Sequence, residues 1–232
     1  MDARPQRTDA PPAAHTAARR SIPGEIAAVL REEILDGVPA PGSPLRQGHL
    51  AARFGTSQAP IREAFRLLEA EGLVVSSPNR GVRVAPLDAE AAEEIGGLRR
   101  SLEPALAARA AERAAAVDAG AARAAIAAMA EAREPAALMA ANARFHDVLY
   151  AAAGRPVTHE LVRGLRARFE RHLRLMWRRT GHAALSNDEH EEILRLVLAG
   201  DAGGVRAMME RHIERSTAAV LRVLRETSGL RA

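Results

Sequence analysis

Residues 50–74 read LAARFGTSQAPIREAFRLLEAEGLV, and their pattern decides the fold. Leu50, Ala51 and Phe54 mark the apolar face of a short helix, and Gly55 supplies its stop. Ser57 stands at the N-cap of a second helix, with Pro60 in the first turn, where a missing N–H breaks no intrahelical bond. Ile61, Ala64, Phe65, Leu68 and Leu73 recur near a 3.6-residue period and form one apolar face. Gln58, Ala59 and Arg62 lie near the helix start and off that face. The expectation is helix, tight turn, helix, with the polar start of the second helix turned outward. Recognition helices enter the DNA major groove in this way.

A helical hairpin inside a bundle shares the first half of this pattern; residues 73–85 separate the two. Leu73-Val74-Val75 is short and β-branched, Ser77-Pro78-Asn79-Arg80-Gly81 is dense in turn residues, and Val82-Arg83-Val84-Ala85 alternates like a half-exposed strand. A hairpin directly after a helix-turn-helix predicts a winged helix. Upstream, Ile26, Val29, Leu30 and Ile34 stripe a helix from about Pro23 to Leu35. It ends at Asp36-Gly37 and Pro39-Ala40-Pro41-Gly42, and it would brace the recognition hairpin. Residues 1–20 are rich in Pro, Ala and Arg without apolar period and read as a disordered tail.

Pro86-Leu87-Asp88 reads as the joint between two domains, 21–86 and 87–232. Beyond it only helices are expected, near 89–114, 119–131, 135–153, 157–180, 187–199 and 202–227. Pro135 marks one start, Gly154-Arg155-Pro156 a break, and Gly200-Asp201 a stop followed by a cap. The fold class is therefore mostly α, a winged helix-turn-helix domain followed by an all-α antiparallel bundle.

Composition bounds the function. The chain has 232 residues, 47% hydrophobic and only 3% aromatic, so Ala and Leu carry the apolar load and favour helices packed through small side chains. Without cysteine, disulfides and thiolate metal sites are excluded. All 33 basic residues are Arg, yet residues 21–86 hold seven Arg against seven acids. Nucleic-acid binding must therefore rest on where Arg62, Arg80 and Arg83 point rather than on bulk charge. No apolar run reaches the ~18 residues of a membrane span, and no signal-peptide core opens the chain, so a cytoplasmic protein without membrane contact is expected.

Of eight His, three stand out by position. Asn142 and His146 are four apart and share a helix face. His190 falls in the first turn of its helix, and His212 lies within the amphipathic last helix. Three imidazoles from three helices can converge inside a bundle and hold Zn, Ni, Mn or Fe. From spacing alone, a lone His on a helix is more often a surface or hydrogen-bonded core residue. His159, His172 and His182 read as structural or exposed.

Pro41-Gly42, Leu45, the 50–74 stretch and the wing PNRGVRVA (78–85) together resemble the DNA-binding domain of GntR-family transcription regulators, over about residues 21–86. Residues 91–228 resemble the helical FCD ligand-binding domain of the FadR-type subfamily. This resemblance implies a homodimer on a short palindromic operator in double-stranded DNA. Ser57, Ala59 and the first-turn amides would approach phosphates, Gln58 and Arg62 would read bases, and Asn79 with Arg80 would bring the wing to the backbone or minor groove. The family usually carries Arg where this chain has Gln58. Gln pairs with adenine N6/N7 and Arg with guanine O6/N7, so base preference shifts at that position.

The FCD pattern recurs as Asn142-Ala143-Arg144-Phe145-His146, Glu189-His190 and Arg211-His212. Carried over, His146, His190 and His212 become ligands of a divalent ion with Asn142 the fourth. Asn stands where Asp is common, so one negative charge is missing. The resemblance also implies a small organic or sugar acid as effector, with Arg99 clamping its carboxylate; simple i,i+4 pairing of Arg99 with Glu103 is the alternative. Repression relieved by effector is the commoner family behaviour. Two other readings use the same histidines: a regulator that senses the metal itself, and a metal-dependent hydrolase. The second lacks a placed general base and leaves residues 50–84 unexplained, so no enzyme is expected.

Overall fold

The computed structural model describes residues 21–77, 81–180 and 187–229. Helix α1 (Ile22–Leu35) starts at Ser21, whose hydroxyl accepts from the Gly24 amide. Strand β1 (Pro44–Leu45) leads into α2 (Gln47–Arg53), and α3 (Gln58–Ala70) comes next. Strands β2 (Val74–Ser77) and β3 (Gly81–Val84) pair antiparallel as the wing. The sheet has a third strand that the hairpin reading missed: β1 pairs with β3, in the order β1-β3-β2. Two residues are too few for an alternating pattern to show.

Leu30, Ile61, Ala64 and Leu68 are essentially inaccessible and bind α1, α3 and the sheet into one core. Fully burying each Leu or Ile side chain contributes about 1.5–3 kcal/mol. Leu73 also joins this core but lies beyond the end of α3, because Gly72 turns the chain at φ +72°. Ser57 is the N-cap of α3, yet its side chain makes no capping hydrogen bond. Pro60 occupies N3 and removes one of the two amides such a cap can serve.

Asp88 caps the second domain's first helix, α4 (Ala89–Ala111), through the Glu90 and Ala91 amides. A 3-10 turn (Ala114–Ala116) then leads to α5 (Ala119–Glu131), α6 (Pro135–Ala152), α7 (Pro156–Thr180), α8 (Asn187–Leu198) and α9 (Ala202–Gly229). The six helices share one core, built largely from Ala, Leu, Val and Met. Helices α4 and α9 cross closely at Gly96, where a Cβ would lie 2.6 Å from the Thr217 side chain. Among the described residues, no helix is long and apolar enough to cross a membrane. The expected tail (1–20), Asn79 and Arg80 of the wing, and His182 lie outside the described residues.

Candidate functional site

Helix α6 sets one wall of the site. Asn142, His146 and Tyr150 recur every four residues, so all three project from one buried face. Helix α8 brings in His190 from its first turn, and α9 brings His212 from mid-helix. All three imidazoles are buried, and their ligand atoms lie within 4.8 Å of one another. The ring centroids of His146 are 5.6 Å from His190 and 5.5 Å from His212. Phe145 packs edge-on against both His146 and His190, closing one side with apolar surface.

Outer hydrogen bonds decide which nitrogen of His146 and of His212 faces inward. Tyr150 donates its hydroxyl to Glu103 at 2.6 Å, so its oxygen accepts from His146 Nδ1 at 3.2 Å. That leaves the His146 lone pair on Nε2, which is buried and has no hydrogen-bond partner. Burial, reinforced by the nearby Arg166 charge, holds His146 well below the ordinary imidazole range, so it is neutral. His212 Nδ1 lies 2.8 Å from Glu189, which turns Nε2 of the ring to the centre. Asn142 Oδ1 sits 3.1 Å from His190 Nε2. Three imidazoles and one amide oxygen form a donor set that fits a divalent ion.

Sequence reasoning named Glu189 only beside His190 in the motif and missed its contact with His212. Its neighbour His190 points to the centre, and adjacent helix positions face different ways, yet Glu189 reaches across to α9. There it meets His212 and Arg215, and the hydrogen bond with His212 is the main reason its carboxyl sits below the usual range. Tyr150 was missed as well, though its i+4 spacing from His146 was the available signal, and Glu103 was foreseen only as the i,i+4 partner of Arg99. A carboxylate behind a ligating imidazole raises its basicity and fixes its orientation. Glu189 thus offers negative charge directly behind His212, and Glu103 behind the Tyr150 hydroxyl that faces His146, where Asn142 itself carries none. Replacing Glu189 by Gln is expected to weaken zinc binding roughly 10–100-fold; an unchanged affinity in chelator competition would assign Glu189 to Arg215 alone.

Beside the imidazoles, α4, α6 and α7 enclose a cavity of about 110 Å³, lined in part by Arg99, Asn142, Asp147, Arg163, Arg166 and Glu170. Arg99 does pair with Glu103 at i,i+4, at 2.7 Å, but it is 3% exposed rather than a surface residue. Its guanidinium lies over the Phe169 ring, and its buried Nη1 makes no hydrogen bond. Arg166 reaches the other Glu103 oxygen at 3.1 Å. One carboxylate therefore steers two guanidinium groups, both on the cavity wall. His159 pairs with Asp147 at 3.0 Å, and burial pushes His172 down to about 4.

In the winged-helix domain, Ser57, Gln58, Ala59 and Arg62 are all exposed around the start of α3. Arg83 is tied back to the Gly42 carbonyl at 2.9 Å. This leaves Arg62 better placed than Arg83 to reach a ligand.

Known proteins share both halves. Residues 23–84 match the family "Bacterial regulatory proteins, gntR family", and residues 94–215 match the FCD domain. The galactonate operon transcriptional repressor of Escherichia coli is 32% identical over 171 residues, covering 63% of this chain and 75% of that protein. A probable D-xylose utilization operon transcriptional repressor of Paenarthrobacter nicotinovorans is 38% identical over 85 residues, 37% of this chain and 38% of that protein. With several curated relatives the likeness spans only about a third of their length, as in a 74-residue match covering 33%. A GntR-family transcriptional regulator from Pseudomonas syringae is 30% identical, covers 91% of this chain and 89% of its own, and superposes with a TM-score of 0.55. E. coli McbR/YncC shares the fold at a TM-score of 0.72, with 20% identity over 87% of this chain and 98% of its own. The chain belongs to the GntR family, with an FCD domain as its helical half, a family of transcription regulators rather than enzymes.

Proposed function

We propose that this protein is a DNA-binding transcription repressor of the bacterial cytoplasm whose operator affinity is set by a small carboxylate bound at a divalent metal site in the helical domain. One observation carries the reading. Asn142, His146, His190 and His212 converge beside a cavity into which Arg99 brings a buried guanidinium with an unpartnered nitrogen. Asn142 belongs to both the imidazole cluster and the cavity wall, so an acid held by Arg99 lies next to the metal. Zinc, nickel, manganese and iron all suit nitrogen–oxygen donor sets of this kind. The ion polarises and anchors the acid's oxygens, and Arg99 and Arg166 supply charge-assisted hydrogen bonds.

Two copies would read a palindromic operator, one recognition helix to each half-site. Exposed apolar residues on α4 (Leu98) and α7 (Val157, Leu161) give a homodimer surface to bury. The sugar-acid name of the galactonate repressor supports the carboxylate class.

Selection from random duplexes tests the DNA half. The expected product is a two-fold pair of half-sites whose affinity falls when metal-loaded protein meets its acid in a panel of organic and sugar acids. Release by metal alone, with no acid active, would make the ion itself the signal. On the selected duplex, Arg62→Ala should cost roughly 1–3 kcal/mol of specific binding if Arg62 reads a base. An unchanged ratio of specific to non-specific affinity would remove it from base reading.

A further inference from the structure

Helix α7 carries a second row of arginines on the face next to its cavity-lining residues. Arg168, Arg171, Arg174 and Arg178 span eleven residues, about 15 Å of helix, and every one reaches into the winged-helix domain. Arg168 donates to the Ala70 carbonyl at 3.2 Å, and Arg171 to the Gly72 carbonyl at 3.3 Å. Arg171 also bonds the Ala85 carbonyl at 3.1 Å and the Pro86 carbonyl. Arg178 bonds the Leu35 carbonyl at 2.9 Å and the Asp36 carbonyl.

Apart from the Ala85 and Pro86 carbonyls, which follow β3 at the domain joint, these targets are the C-terminal ends of α1 and of the recognition helix α3. Both helices end alike, in an acid followed by glycine at positive φ, Asp36-Gly37 and Glu71-Gly72. Neither has a basic residue of its own in the last turn. A helix C-terminus carries partial negative charge and leaves carbonyls without intrahelical partners. The arginines of α7 supply what both helices lack. Two of them lie against the glycines, where a Cβ would stand 3.3 Å from Arg178 at Gly37 and 3.6 Å from Arg168 at Gly72.

Arg174 ties this row to the cavity. It is 3% exposed and holds three carboxylates: Glu170 at 2.8 Å, Glu32 at 3.0 Å and Asp36 at 3.2 Å. Glu32 and Asp36 belong to the winged-helix domain, whereas Glu170 lines the cavity beside Arg166. We propose that this arginine row of α7 is the latch that fixes the recognition helix on the bundle, and that an anion in the cavity works the latch through Glu170 and Arg174. The ligand half of this proposal rests on the carboxylate and metal reading above. An acid beside Arg166 repels Glu170, weakens its hold on Arg174 and shifts that arginine toward Glu32 and Asp36. The DNA-binding domains are thereby re-oriented without contact between ligand and recognition helix. Such coupling is reciprocal, so DNA shifts ligand affinity by the same factor.

Calorimetric unfolding of the full chain, with and without Zn2+, tests the latch. Wild type is expected to unfold in one transition that Zn2+ moves as a whole. The double variant Arg171→Met, Arg174→Met keeps the aliphatic stems and is expected to unfold in two transitions, with Zn2+ moving only the bundle's. Arg100→Met, which removes an exposed pair between α4 and α9 that involves no residue of α7, should keep a single transition and controls for general loss of stability. A double variant that still melts as one Zn2+-shifted unit overturns the latch. If Zn2+ moves nothing even in wild type, the metal reading fails, and with it the ligand's action on the latch. The number of transitions still decides whether the row joins the two domains. Should the double variant not fold, each single Arg→Met variant is read the same way, as a split or its absence.

Discussion

Replacing His190 by alanine is expected to lower zinc affinity by more than about 100-fold, beyond the roughly 10–100-fold attached to an outer partner. The reason is geometric. His190 brings the donor from α8, and its Nε2 stands 3.1 Å from the Asn142 oxygen that would be the fourth ligand. Its loss leaves two imidazoles and an amide with no negative charge among them. Chelator competition measures the affinity, and metal content after dialysis measures retention. The winged-helix domain should keep its fold, because its core contains no residue of the bundle. Zinc affinity within a factor of a few of wild type would show that the three imidazoles are a hydrogen-bonded core and not a ligand set. Asn142→Asp points the opposite way: a carboxylate at this position adds the missing charge and should tighten zinc, unless position 142 stands outside the ligand set.

The second large effect is expected at Glu103. It is completely buried, and it accepts from Arg99, Arg166 and Tyr150. Burial pushes its carboxyl up. The charges of Arg99 and Arg166 and the hydrogen bonds from Arg99 and Tyr150 outweigh that and hold it at about 2. Glu103→Ala would leave two guanidinium groups in the interior without their counter-charge. Removing one partner of a buried ion pair costs roughly 3–5 kcal/mol, and denaturant unfolding should read a loss of that size. The pH dependence comes from the direction of the shift. A carboxyl depressed from 4.5 in the unfolded chain to about 2 in the fold stabilises fully above pH 4.5. That contribution is lost as pH falls from 4.5 toward 2. Wild type should therefore lose its advantage over Glu103→Ala across this window; a constant difference would place the cost in packing instead of charge.

Local signals were enough for the architecture. The apolar period of α3, the turn-rich wing and the Pro, Gly and Asp punctuation of the bundle were all legible, because each depends on residues within one helix or one hairpin. Shifts at single residues came from partners far along the chain. β1 is a strand only because β3 lies beside it, and Leu73 is core only because Gly72 turns it back onto α3. The candidate ligands were legible as residue types on three helices, since the resemblance brought them together by motif. Their outer partners were not. Helix geometry within α8 turns Glu189 away from His190, yet its side chain crosses to α9 and meets His212.

Taken by itself, the sequence determined the helix-turn-helix, the winged element and the helical second half, and through the family resemblance it named four candidate metal ligands. Hydrophobic period, turn chemistry and motif spacing are local or family-wide quantities, and they survive without coordinates. Only the tertiary structure decided which way those residues face and what stands behind them. It placed Tyr150 and Glu103 behind His146, left Arg99 buried with one nitrogen unpartnered, and set the arginines of α7 against the ends of α1 and α3. Apart from the i,i+4 contact of His146 with Tyr150, these pairings join residues 47 to 143 positions apart. Contacts between helices depend on how whole faces pack, and no spacing along the chain encodes that.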